Sequence, residues 1–186
     1  MDYDAFQQVS TALKDRIETA LGAQSVHVGP LDDDDAASAD LVLFLYRVAI
    51  NPDLRNLGHV VPPATAQDPP AIYENALPFD LFYLLTASPS KVGTDLDGLG
   101  QLGRAIQALN DEPFFVGPPV RGELVRVSVD SVTTDEMSRI WTLFPTANFR
   151  TSVIYLVTPV WIDPAAPPQP APPVVSESYG VASSLA

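Results

Sequence analysis

Chemistry in this chain would have to start from its histidines, its carboxylates or a glycine-rich turn. It has 2 histidines and no cysteine. Without thiols there is no cysteine nucleophile, no disulfide and no cysteine-ligated zinc. His27 lies in a short apolar segment and His59 in a loop. A lone loop histidine lacks the oriented partner that a general base needs, so His59 reads as a surface residue. No Gly-x-Ser-x-Gly elbow presents a serine nucleophile. Gly98-Leu99-Gly100 with Gly103 imitates half of a dinucleotide fingerprint. The residues before it, Asp95 to Asp97, are polar where that fingerprint requires a strand. The run Asp32 to Asp35 offers four adjacent carboxylates. A calcium loop needs alternating ligands, a glycine and a terminal glutamate. The run has none of that spacing and reads as a solvated loop, with weak cation binding or contact with a basic partner as the other reading. No catalytic, metal or cofactor set is assembled.

The whole chain carries the same message in its charge. It has 186 residues, with 10 Lys plus Arg against 23 Asp plus Glu, a formal net charge of −13. That sign repels phosphate backbones and anionic lipid, which speaks against nucleic-acid and membrane partners. Hydrophobic residues make up 46%, enough for a folded core rather than an acidic disordered tail. Met1 to Phe6 is acidic and no uninterrupted apolar stretch follows, so no signal peptide is expected. The longest apolar run, Leu41 to Ile50, is broken by Arg47 and is too short to span a bilayer. A soluble protein made in the cytoplasm is the expectation.

The elements that would position these residues can be read from periodicity. Phe6, Val9, Leu13, Ile17 and Leu21 recur at helical spacing, and Gly22 follows as a left-handed stop. Ser25 to Val28 reads as a short strand. Leu41 to Ile50 is apolar on both sides, as a strand covered on both faces is, and Asn51-Pro52 ends it. Leu54 to Asn75 reads as a long excursion, followed by a second apolar strand over Phe79 to Ala87. Ser88 to Asp97 is a loop. Leu99 to Leu109 is a helix with Leu99, Leu102, Ile106 and Leu109 on one side. Phe114 to Val116 is a short strand and Gly117-Pro118-Pro119 a turn. Glu123 to Asp130 alternates as a strand, with Val125, Val127 and Val129 facing one way. Thr133 and Glu136 form a capping box ahead of Met137, Ile140, Trp141 and Phe144, and Pro145 stops that helix. Thr151 to Ile162 is a last β-branched strand, with Pro159 bending it or placing its end at an edge. From Asp163 on, proline, alanine and serine dominate, which reads as an extended tail. The order predicts one α/β or α+β domain, a mixed sheet flanked by helices.

One stretch stands apart. A buried strand runs through Arg47 directly into a polar turn with Asn51, Leu54, Arg55 and Asn56. Arg55 presents a fixed fork of donors able to hold carboxylates or carbonyls across a gap. These side chains either tie down the loop that follows or dock a neighbouring subunit. Trp141 and Trp161 are either core residues or interface anchors, with core packing favoured for Trp141.

The order of segments is similar to a known family. Leu43-Phe44-Leu45-Tyr46-Arg47-Val48 followed by Asn51-Pro52-Asp53-Leu54-Arg55-Asn56 resembles the cap, or tail-terminator, proteins of contractile injection systems. These are phage-tail-like particles, including the extracellular toxin-delivery type. Leu77-Pro78-Phe79-Asp80-Leu81-Phe82-Tyr83-Leu84-Leu85-Thr86 resembles the family's second strand. Leu102-Gly103-Arg104-Ala105-Ile106-Gln107-Ala108-Leu109, then Pro113, resembles its middle helix. Ser138-Arg139-Ile140-Trp141 and Ser152-Val153-Ile154-Tyr155, leading to Pro159-Val160, complete the order. The resemblance runs from about Phe6 to Asp163, and the stretch Gly58 to Asn75 varies in length in such proteins.

The resemblance implies a tail-terminator-like domain over residues 1–163, a Pro/Ala/Ser-rich extension over 164–186, no enzyme activity and no cofactor. It implies a homo-hexameric ring that closes the distal end of tube and sheath, in a particle kept in the cytoplasm or released. Arg47, Asn51, Leu54, Arg55, Asn56 and Trp161 are then the candidate subunit-interface residues. The competing readings are another structural part of the same particle, at the baseplate or completing the tube, and, from a different class, a small acidic hydrolase using an aspartate pair.

Overall fold

A computed structural model describes residues 3–23, 25–61, 70–88 and 95–165. The chain opens with helix α1, Ala5–Leu21, whose Val9, Leu13 and Ile17 are fully buried. It ends as its sequence dictates: Gly22 takes φ +71° and its N–H donates to the Glu18 carbonyl at 2.9 Å. Strand β1, Val26–Val28, follows, then a 3-10 turn over Asp34–Ser38 and strand β2, Leu41–Ile50. Asp32 to Asp35 are all exposed, as a solvated loop requires.

The excursion after β2 is not all loop. It contains a hairpin of β3, His59–Val61, and β4, Ala71–Tyr73, in a two-stranded sheet of its own. A three-residue strand is too short for periodicity to reveal against a proline-rich background. Strand β5, Leu77–Ala87, and helix α2, Asp95–Asp111, come next. The helix begins four residues before the expected Leu99, which stays 46% exposed, while Leu102, Ala105 and Leu109 are buried. Residues 62–69 and 89–94 of the expected loops, and the extension from 166 on, lie outside the described residues.

Strand β6, Phe114–Phe115, a 3-10 turn over Pro118–Val120, strand β7, Val125–Asp130, helix α3, Thr134–Trp141, and strand β8, Ser152–Ile162, complete the domain. The capping box of α3 forms as predicted: Thr133 accepts from the Glu136 N–H at 3.2 Å, and Glu136 accepts from the Thr133 N–H at 2.8 Å. The six-stranded sheet runs β1-β2-β5-β8-β7-β6. Only the β1–β2 pair is parallel, so the architecture is α+β with a mixed sheet. Of the two expectations for Pro159, a bend in its strand or an end at an edge, the second is corrected and the irregularity agrees with the first. β8 lies inside the sheet, and the ladder to β5 jumps from Phe79–Val160 to Leu81–Val157. Thr158 and Pro159 therefore oppose Asp80 in a bulge, where a missing N–H breaks no ladder bond.

Alternation divides the core. Leu41, Leu43, Leu81, Tyr83, Leu85, Val125, Val127, Tyr155 and Val157 face α1 and α2. Val42, Leu84 and Ile154 face the other way, toward Ile140, Trp141 and Phe144. Trp141, 7% exposed, is thus a core residue. Val129 shares the register of Val125 and Val127 but stays 58% exposed, beyond the reach of the covering helices. No helix among the described residues is long and apolar enough to cross a membrane.

Candidate functional site

The turn after β2 is built around Asn51. Its N–H donates to the Pro78 carbonyl at 2.9 Å, holding the end of β2 to β5. Its side-chain oxygen accepts the N–H groups of Asp53 and Leu54, both at 3.0 Å, an Asx turn that forces the chain round. Its side-chain nitrogen donates to the Asp80 carboxylate at 2.9 Å and to the Thr158 hydroxyl at 3.3 Å. The Thr158 hydroxyl donates to the same Asp80 oxygen. Asn51 therefore locks the turn to the β8 bulge and is spent on that task. Leu54 is half-buried, and Arg55 and Asn56 are exposed beyond it.

Arg47 lies just before this turn. β2 has a bulge between Leu45 and Arg47, so Tyr46 and Arg47 both meet the Phe82 side chain of β5. The Arg47 guanidinium stands 4.7 Å from the Phe82 ring centre, an exposed cation on an aromatic face. Arg47, Arg55 and Asn56 thus share the β2 end of the molecule, at a margin where β1 covers only Leu41 to Leu43.

His59 corrects the sequence reading most sharply. Far from lying on the surface, it is 4% exposed. Its Nδ1 lies 2.7 Å from Asp163 Oδ1 and its Nε2 3.0 Å from Glu123 Oε2. The Trp161 ring stacks on it at 4.5 Å between centres and 7° between planes, and Tyr73 flanks it at 6.4 Å. Trp161, 8% exposed, is therefore packed within the domain. Burial alone would hold the imidazole neutral. The hydrogen bonds and charges of Glu123 and Asp163 outweigh burial and raise its pKa above the ordinary value. Sequence reasoning missed this group because its partners are 64 and 104 residues away. The one available hint was a carboxylate directly after the last apolar strand.

His59, Glu123 and Asp163 place ligand-type atoms within 4.8 Å of one another. Each carboxylate meets a different ring nitrogen, however, and those nitrogens point to opposite sides of the ring. A single ion would have to abandon one of the two contacts, so the arrangement suits protons better than a metal.

A cleft of about 450 Å³ lies between α1 and the end of α2, lined by Ala12, Asp15, Arg16, Ala108, Glu112 and Phe115 among others. Its one cation is engaged within the chain. Arg16 stacks 3.6 Å above the Phe115 ring centre and donates to the carbonyls of Glu112 and, at 3.2 Å, Phe114. His27, at the β1 edge, meets Asp33 at 3.2 Å. Neither place combines a nucleophile with an oriented base.

With this geometry in hand, comparison with known proteins identifies the fold. Residues 8–176 match the sequence model of the Pvc16 N-terminal domain. The chain belongs to the Pvc16 N-terminal domain family. The match reaches from α1 past β8, so all six candidate interface residues fall inside the Pvc16 domain. Two solved structures share its fold. The PVC sheath/tube terminator of an extracellular contractile injection system, in its extended state, superposes with a TM-score of 0.62 at 17% identity, covering 96% of this chain and 63% of that one. The tube-terminating cap of the anti-feeding prophage gives 0.60 at 19% identity, covering 93% of this chain and 60% of that one. This Pvc16 domain therefore spans about three-fifths of the length of either solved chain and carries the tail-terminator fold. No curated protein matches the sequence significantly.

Proposed function

We propose that this protein is a structural cap of a contractile injection system, a homo-hexameric ring that closes the distal end of the inner tube and sheath. The observation that carries the reading is the family match over residues 8–176, joined to a common fold with two terminators over 96% and 93% of the chain. The physical logic is simple. A tube grows because each ring offers a face to the next, and a terminator binds that face without offering another. Sixfold closure needs two different patches on each subunit, one meeting the other on its neighbour. No step requires catalysis.

Arg47, Leu54, Arg55 and Asn56 are proposed to supply one of those patches. Asn51 sets the turn that presents them, and Trp161 stiffens the neighbouring wall. The exposed carboxylates Asp32 to Asp35 are proposed to complement basic groups on the tube or sheath. The extension after Asp163 is proposed to reach a neighbour, as extended segments do when they add to a sheet edge.

The test is assembly. Light scattering of the purified protein is expected to give six times the subunit mass, and particles lacking the protein are expected to lose their uniform length. A labelled copy is expected at the end away from the baseplate. A label at the baseplate end would transfer the protein to the baseplate or tube-completion role. A dispersed monomer that turns over a small molecule would end the structural reading.

A further inference from the structure

We propose that His59, held as an imidazolium between Glu123 and Asp163, is a proton-operated clasp that fastens the β3–β4 hairpin and the start of the C-terminal extension to the end of the main sheet. A neutral imidazole has one N–H and one lone pair. Here both nitrogens face carboxylate oxygens, at 2.7 and 3.0 Å. A lone pair set against a carboxylate at that distance is repulsive, so only the doubly protonated ring satisfies both contacts.

The three residues come from three separate places. His59 opens the hairpin, Glu123 precedes β7, and Asp163 follows β8 directly. The hairpin shares no ladder with the six-stranded sheet, so side chains must hold it. Side-chain exposure is 5% for His59, 12% for Glu123 and 10% for Asp163, so water competes poorly for these bonds. Trp161 closes one face of the ring and favours its cationic form.

Among the described residues, His59 is faced by Glu123 from the segment before β7, by Asp163 from the end of β8, and by Tyr73 from β4. Its own strand carries no other titratable side chain. The pKa in the fold is raised, so the clasp is complete below the ordinary imidazole value. It opens as pH climbs through the raised one. Loss of the proton gives up at least one of the two bonds and weakens the hold on the hairpin or on Asp163. The consequence for ring assembly rests on the cap reading; the clasp itself does not.

The experiment uses the full chain with ¹³C-labelled histidine. Two histidines give two signals, and His59→Gln assigns them. The His59 signal is expected to titrate above the ordinary imidazole midpoint. Amide exchange at 59–61, 71–73 and 163, corrected for its intrinsic pH dependence, is expected to accelerate at least tenfold across that midpoint. Glu123→Gln and Asp163→Asn are each expected to lower the midpoint and abolish the step while far-UV circular dichroism stays unchanged. A midpoint at or below the ordinary value, or protection indifferent to pH, overturns the clasp. So does a stoichiometric zinc complex at His59 on addition of zinc chloride. None of these outcomes touches the six-fold mass, so failure of the clasp and failure of the cap reading are separable.

Discussion

The two faces of the sheet are closed by unequal means. Over one lie α1 and α2, seventeen residues each; Leu13 of α1 and the strand residues Leu81, Tyr83 and Val157 beneath have no exposure at all. Over the other lies α3, eight residues long, with Trp141 and Phe144 sealing Val42, Leu84 and Ile154. Past α3 that second face carries Phe82 under the exposed Arg47, and then the Asn51 turn. The first face is sealed by two long helices, and the second leaves Arg47 and the turn beyond it exposed.

The comparison breaks if the first face proves no stronger than the second. Leu13→Ala is expected to cost about 3 to 5 kcal/mol in chemical denaturation, since a fully buried leucine leaves a cavity in a rigid wall. Ile140→Ala, at 8% exposure on the one short helix α3, is expected to cost about 2 kcal/mol. Equal losses would mean that α3 holds its face as firmly as the two long helices hold theirs.

Two tyrosines on the first face sharpen the contrast. Burial pushes the phenols of Tyr83 and Tyr155 up to about 12. In the unfolded chain they ionise near about 10. The unfolded state therefore sheds protons first, and stability is expected to fall as pH rises from about 10 towards 12. Denaturant midpoints measured across that range check this, and Tyr83→Phe should shallow the fall. At neutral pH Tyr83→Phe is expected to cost about 1 kcal/mol, because the Tyr83 hydroxyl pairs with Ser10 at 2.8 Å. Tyr155→Phe is expected to cost nothing or to stabilise, since the Tyr155 hydroxyl is buried with no partner among the described residues.

On the second face the expected effects are smaller. Thr133→Ala removes the N-cap of α3 and is expected to cost about 1 kcal/mol, read as a lower thermal midpoint. Asp135→Asn breaks an ion pair with Arg139 whose side chains are 75% and 79% exposed. A loss below about 0.5 kcal/mol, vanishing in high salt, is expected there.

Much of the fold was legible because it is written in local periodicity. Phe6 to Leu21 repeats at helical spacing, Thr133 and Glu136 sit at capping distance, and the apolar runs of β2 and β5 need no partner to be recognised. The candidate site was only half legible. The Asn51 turn could be seen from Asn-Pro after a strand, although not that Asn51 would reach Asp80 and Thr158. Strand β3 was hidden because three residues have no period to measure. Pro159 left a bend and an edge both open, because the sequence does not reveal that its own strand bulges opposite Asp80.

The sequence by itself determined the helices, the long strands, the acidic surface and the want of a thiol, because each follows from neighbours within a turn or two of chain. Its ordered segments also marked the family. Only the tertiary structure decided what His59 is. Ionisation depends on which charges stand within a few ångströms, and folding brings those charges from positions 123 and 163. No local pattern records such an encounter, which is why an isolated histidine in the sequence became the most tightly held one in the molecule.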